Sequence, residues 1–175
     1  MMHRLLKLID GFCLRAANVA AVLLIFIALV AIAEVLFRAI FNFGLSWALE
    51  YESYALCLVM FAGSGWALRH GAHIKVELLV NMLSPPARRW VDLVATTFSL
   101  GIAAYVSVAL IGYAFATFQR GTVSIQISQT PLAYPQALFA LASCTLTLAL
   151  FARLVRLLLR EAPEAPRDAA AETGV

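Results

Sequence analysis

The chain predicts an all-α integral membrane protein. It should have four transmembrane helices with both termini in the cytoplasm, plus amphipathic surface helices at the N-terminus and between spans two and three. Three observations carry this. Of the 175 residues, 63% are hydrophobic and only 13% are charged, whereas ordinary soluble domains carry about 25% charge. The apolar residues are gathered into four runs, each long enough to read as a membrane span. And Lys and Arg are distributed unevenly between the segments that separate those runs.

The runs cover about residues 16–41, 47–68, 91–118 and 132–159. A helix rises about 1.5 Å per residue and the hydrocarbon core is about 30 Å thick, so each run can cross once. Residues 1–160 then form a single four-helix membrane domain. Residues 161–175, rich in Ala, Pro and acids, form a disordered cytoplasmic tail with nothing to bury.

Orientation follows from the basic residues. Arg4, Lys7 and Arg15 precede the first run, and Arg69, Lys75, Arg88 and Arg89 separate the second from the third. Arg153, Arg156, Arg160 and Arg167 close the chain. If the helices alternate, eleven of the 13 cations share one side, leaving Arg38 and Arg120 on the other. That is the positive-inside pattern. The net charge of +3 is thereby explained by topology, and no basic, aromatic-interleaved surface for nucleic acid remains.

Element by element, the start MMHRLLKLID sets Leu5, Leu8, Ile9 and Phe12 on one helical face, away from Arg4 and Lys7. This predicts a short helix on the cytoplasmic surface, with Gly11 as a bend before the first span. Ala31-Ile32-Ala33 looks like a signal-cleavage site, but the apolar stretch before it exceeds the usual 7–15 residues, so it reads as a retained anchor. Glu34 and Arg38 are spaced i, i+4, the favoured order for a helical ion pair. Asn42–Ser46 is a tight outer loop. Trp47 suits the interface, and Glu50 and Glu52 suit the positive end of the second helix. Gly63 and Gly65 suit close helix packing.

Residues 73–83, HIKVELLVNML, compete between two periods. Ile74, Val76, Leu78, Val80 and Met82 alternate, while His73, Glu77, Asn81 and Ser84 recur at helical spacing. A lone strand at a membrane surface leaves backbone groups unpaired, so a helix on the cytoplasmic face is expected. Ser84 can cap the third helix and Pro85 can begin it. In the second outer loop, about residues 119–130, Val123, Ile125 and Ile127 alternate with Ser124, Gln126 and Ser128, which suggests an extended segment. Pro131 should open the fourth helix, and Pro135, a turn further in, should distort it.

Sets for catalysis or metal binding are missing. There is no GxSxG, Walker loop or HExxH. His70 and His73 form an HxxH without further ligands, and Cys13, Cys57 and Cys144 are isolated packing residues. No enzyme and no cofactor is expected.

Trp47 with Glu50, then FAGSGWALRHGAHIKVELL from Phe61 to Leu79, then TPLAYPQ from Thr130 to Gln136, resembles the small permease subunit of tripartite ATP-independent periplasmic (TRAP) transporters, the DctQ type. The family often has Asp where this chain has Glu77. The resemblance implies a bacterial inner-membrane subunit bound stably to a large permease subunit that holds the transport sites. A periplasmic binding protein delivers the solute, commonly an organic acid anion, and ion gradients drive symport. Glu34, Arg38, Trp47, Glu50, Arg69, His73, Glu77 and Pro131 are then the expected subunit or interface contacts, with membrane lipids around them. The rival reading is a stand-alone proton-coupled exporter of small-multidrug-resistance type, with Glu34 as its carboxylate.

Overall fold

The computed structural model describes residues 2–71 and 84–162. Four helices account for nearly all of them: α1 (Met2–Phe41), α2 (Ala48–Arg69), α3 (Pro85–Arg120) and α4 (Ala133–Leu158). The described residues form helices and no strand, as the apolar runs require. Three of the four, α1, α3 and α4, are long and apolar enough to cross a membrane by length and composition. The fourth, α2, is diluted by Glu50 and Glu52 in its first turns and by Arg69 at its end.

The helices form an open row rather than a closed bundle. α1 packs on α2, α2 on α4 and α4 on α3, with a further contact between α1 and α4. α3 leans almost wholly on α4. α4 is therefore the buried helix, and its contact positions are mostly small: Ala140, Ala142, Ser143, Thr145, Ala149 and Ala152. Small side chains let helix backbones approach where apolar burial alone gives no preference between lipid and protein. The outward surfaces stay apolar: Leu29, Ile32 and Leu36 on α1, and Phe98, Tyr105 and Val108 on α3, are all exposed.

Several expectations are corrected. The N-terminal segment is no separate surface helix, because α1 runs unbroken through Gly11. Its buried stripe is Leu6, Ile9 and Cys13, packed with Leu68, Ala149, Leu150 and Ala152, while Leu5, Leu8 and Phe12 are exposed. Burial against α2 and α4 offsets the cost of a helical glycine, about 1 kcal/mol. At about 60 Å, α1 is far longer than one crossing needs, and the excess carries polar contacts described below.

Pro131 lies outside α4 and forms an isolated antiparallel bridge with Val123. Helix α4 starts two residues later, so Pro135 falls in the first turn, where its missing N–H would have had no helical partner anyway. It does not break the helix. Ser84 does occupy the N-cap position of α3, with a proline in the first turn, but its side chain makes no capping bond. The end of α1 is set by Asn42, which takes a left-handed conformation (φ 53°); the end of α3 is set by Gly121 (φ 61°). Both are residue types that tolerate this region. The predicted arm around His73 and Glu77 lies outside the described residues, as do residues 163–175 of the tail.

Candidate functional site

The polar groups collect at three levels of the helix row. One end brings together the N-terminal third of α1, the end of α2, the start of α3 and the end of α4. Here Arg156 Nη2 donates to Asp10 Oδ2 at 2.7 Å, and Arg69 Nε lies 3.5 Å from the same oxygen. Arg153 Nε donates to Thr96 Oγ1 at 3.2 Å, and its Nη2 lies 3.8 Å from Asp92 Oδ1. Arg89 Nη2 donates to the Leu157 carbonyl oxygen at 3.1 Å, serving one of the orphan acceptors at the end of α4. Arg153 and Arg156 are buried. A buried guanidinium is costly unless a carboxylate and hydrogen bonds answer it, and Asp10 and Asp92 do so from α1 and α3. The network therefore ties all four helices at one end, which requires them to alternate in direction. His70, half of the HxxH, is occupied locally: its Nδ1 lies 3.0 Å from the Trp66 carbonyl oxygen and its ring stacks on Trp66 at 4.2 Å.

The middle level is a seam of small and hydroxyl-bearing residues. Thr145 Oγ1 donates to the Phe61 carbonyl oxygen of α2 at 2.9 Å. Ser107 of α3 lies 3.0 Å from both Ser143 and Thr147 of α4. Gly65 is the closest approach: a Cβ there would stand 2.9 Å from the Thr145 carbonyl oxygen and 3.0 Å from Cys13 Sγ. Gly63, expected to share this role, faces open space.

The opposite end is a clamp built on the first turns of α2. Glu50 is buried. It accepts from Tyr54 Oη at 2.7 Å and from the Ser128 hydroxyl. Tyr51 Oη lies 3.1 Å from Thr130 Oγ1. These bonds hold the α3–α4 loop, which is a short hairpin: Ser124 N–H donates to the Thr130 oxygen at 2.8 Å and Leu132 N–H to the Thr122 oxygen at 3.1 Å. The extended character expected from its alternation is limited to this pairing. Beside it, Glu34 and Arg38 form their i, i+4 pair, and the α1–α2 loop folds over them: a Cβ on Gly44 would meet Glu34 Oε1 at 3.4 Å. Trp47 precedes α2 and packs edge-on against Tyr51, ring centroids 6.0 Å apart.

Of the expected contact residues, Glu34, Arg38, Trp47, Glu50 and Pro131 fall at the hairpin end, and Arg69 falls 3.5 Å from Asp10 at the other. They do not form one site. Asp10, Asp92, Thr96, Arg153 and Arg156 were missed. The available signal was that Arg153 and Arg156 stand in an apolar helix, and that Asp10 and Asp92 are the acids flanking the spans on the same side. Among the described residues, no three His, Cys, Asp or Glu side chains gather as a metal site.

The model of the tripartite ATP-independent periplasmic transporters, DctQ component, matches residues 15–160. The chain belongs to the DctQ family. It is thus a membrane component of a TRAP transport system, a family not known for enzymatic activity. No curated protein and no solved structure gives a significant match. The family match covers all three polar levels apart from Asp10 in the first and Cys13 beside the second, which precede residue 15. Nothing in it favours the exporter reading of Glu34, whose carboxylate is already engaged by Arg38.

A prediction attaches to the clamp. Glu50→Ala leaves the Ser128 and Tyr54 hydroxyls without their shared acceptor, so the hairpin should open while the helices persist. Limited proteolysis should cut between residues 121 and 132 much faster in the variant, with helical circular dichroism unchanged. An unaltered cutting rate means the clamp does not hold the hairpin.

Proposed function

We propose that this DctQ chain is a scaffold subunit that crosses the bacterial inner membrane four times with both termini in the cytoplasm. It holds a large permease subunit in place while that subunit carries out ion-driven symport of a small organic acid delivered by a periplasmic binding protein. The observation that carries this reading is the open helix row. α1 and α3 expose apolar surface along their length, and three charge pairs are closed within the row, Asp10 to Arg156, Asp92 to Arg153 and Glu34 to Arg38, while Glu50 is held by hydroxyls and only Glu52 keeps a buried carboxylate oxygen without a hydrogen-bond partner among the described residues. A subunit that itself bound and released an ion would keep a charged group available for it. One built as a brace would tie its charges off and leave broad apolar faces for a membrane partner. Eleven cations on the proposed cytoplasmic side support the orientation.

The test is to tag the C-terminus, extract the native membrane in mild detergent and identify copurifying proteins. A large polytopic permease in stoichiometric amount is the expected result. A homodimer free of any such partner, together with loss of proton-coupled efflux in Glu34→Gln, overturns the scaffold in favour of the stand-alone exporter.

A further inference from the structure

The hairpin between α3 and α4 turns its hydroxyls inward and its isoleucines outward. Three of its polar side chains face the protein, since Ser124 is buried, Ser128 donates to Glu50 and Thr130 meets Tyr51, while Gln126 and Gln129 at the tip are exposed. The two isoleucines between the serines face away. Ile125 is fully exposed and Ile127 is 82% exposed. In water the reverse arrangement is favoured, because apolar area gains by leaving solvent. The loop is not free to turn over. Besides its two cross-strand bonds, Gln129 N–H donates to the Gln126 oxygen at 3.0 Å and Gln126 N–H to Ser124 Oγ at 3.1 Å. Both isoleucines are thus presented outward by a braced frame, and what lies beyond them should be apolar.

We propose that the hairpin tip inserts Ile125 and Ile127 into the headgroup–acyl boundary of the outer leaflet, so that the occupant is a lipid surface. Two features favour lipid over a protein partner. No residue from Gly121 to Leu132 is charged, which suits shallow burial among lipids, where a charged side chain would be held at the surface. And the hairpin springs from exposed aromatic residues at the ends of its two helices, Phe118 on α3 and Tyr134 on α4. Aromatic residues of this kind gather at membrane interfaces, and they continue the outward apolar surface of both helices into the hairpin. The insertion would set the height of α3 and α4 in the bilayer from outside. It rests on the reading that these helices span the membrane.

The experiment uses the full chain, with its copurified partner and alone, in phosphatidylethanolamine–phosphatidylglycerol vesicles. Ile125→Cys, Ile127→Cys and, as reference, Val108→Cys in the exposed middle of α3 are each made in a Cys57→Ala background, since Cys57 is the exposed native thiol. Each carries a bimane label. The expected result is strong quenching of both hairpin labels by lipids with a nitroxide near the headgroup and weak quenching by iodide, with or without partner. Val108 should respond to nitroxides deep in the acyl chain. Iodide quenching of the hairpin labels in both preparations overturns the proposal in favour of an aqueous loop. Protection from both quenchers only in the complex overturns it in favour of a protein contact. If Val108 also fails to meet lipid, the membrane reading falls with it.

Discussion

Replacing Asp10 with Asn should loosen the whole end of the molecule where its four helices meet. The carboxylate receives the Arg156 guanidinium at 2.7 Å and lies 3.5 Å from Arg69. Arg156 is almost fully buried, its side chain only 6% exposed, whereas the Asp10 side chain is 34% exposed. Removing one partner of a buried pair costs about 3–5 kcal/mol, chiefly because the other charge stays buried without an answer. The exposure of Asp10 puts the expected loss at the lower end, about 3 kcal/mol. It should be read as a lower thermal midpoint of the purified chain in detergent and as faster proteolysis of α1 before Ala16. Arg156→Leu together with Asp10→Asn should cost clearly less than the two single losses added, since the stranded charge is gone. Additive losses, or an unchanged midpoint for Asp10→Asn, would show that solvent already screens the pair.

Gly65→Ala should be the most damaging methyl that can be added to α2. The new Cβ would stand 2.9 Å from the Thr145 carbonyl oxygen and 3.0 Å from Cys13 Sγ. The sulfur could shift, but the carbonyl belongs to the backbone of α4, so the helices themselves must part. Overpacking of this kind costs about 1–3 kcal/mol, and separation also stretches the bond from Thr145 to Phe61. Adding Cys13→Ala should recover only the part due to sulfur. Gly63→Ala, two residues away and facing open space, should be neutral or slightly stabilising through helix propensity of about 1 kcal/mol. Thermal midpoints of the three variants decide the matter. Equal behaviour of Gly63→Ala and Gly65→Ala means that neither glycine is needed for the approach of α2 to α4.

Legibility differed sharply between elements. α2 and α4 could be drawn from their apolar runs to within a few residues, because a long, mainly apolar run bounded by polar and proline-bearing breaks reads as a helix. The N-terminus could not. Its expected face of Leu5, Leu8, Ile9 and Phe12 looked built for headgroups, yet of these only Ile9 packs inward, beside Leu6 and Cys13. Both stripes lie in the same ten residues, and only the presence of Leu68 and Ala152 decides between them. The two glycines of the Gly63–Gly65 pair are likewise indistinguishable in composition and opposite in environment. The Glu34–Arg38 pair was readable because both partners lie on one helix, four residues apart. Asp10 and Arg156 are 146 residues apart, and no local rule joins them.

The sequence by itself determined that this chain is helical and membrane-type, that its family is DctQ, and that eleven of its 13 cations fall in alternate segments between the apolar runs. Each of these depends on residue type, run length or motif, quantities that survive without coordinates. The tertiary structure decided that the helices stand in an open row with α4 at its centre. It also decided that the buried arginines of α4 are answered from α1 and α3, and that the outer hairpin turns its serines inward and its isoleucines out. The physical reason is the same in each case. In a chain this apolar, burial hardly discriminates one neighbour from another, so the arrangement is selected by a few close approaches and a few polar pairs whose members are far apart in sequence.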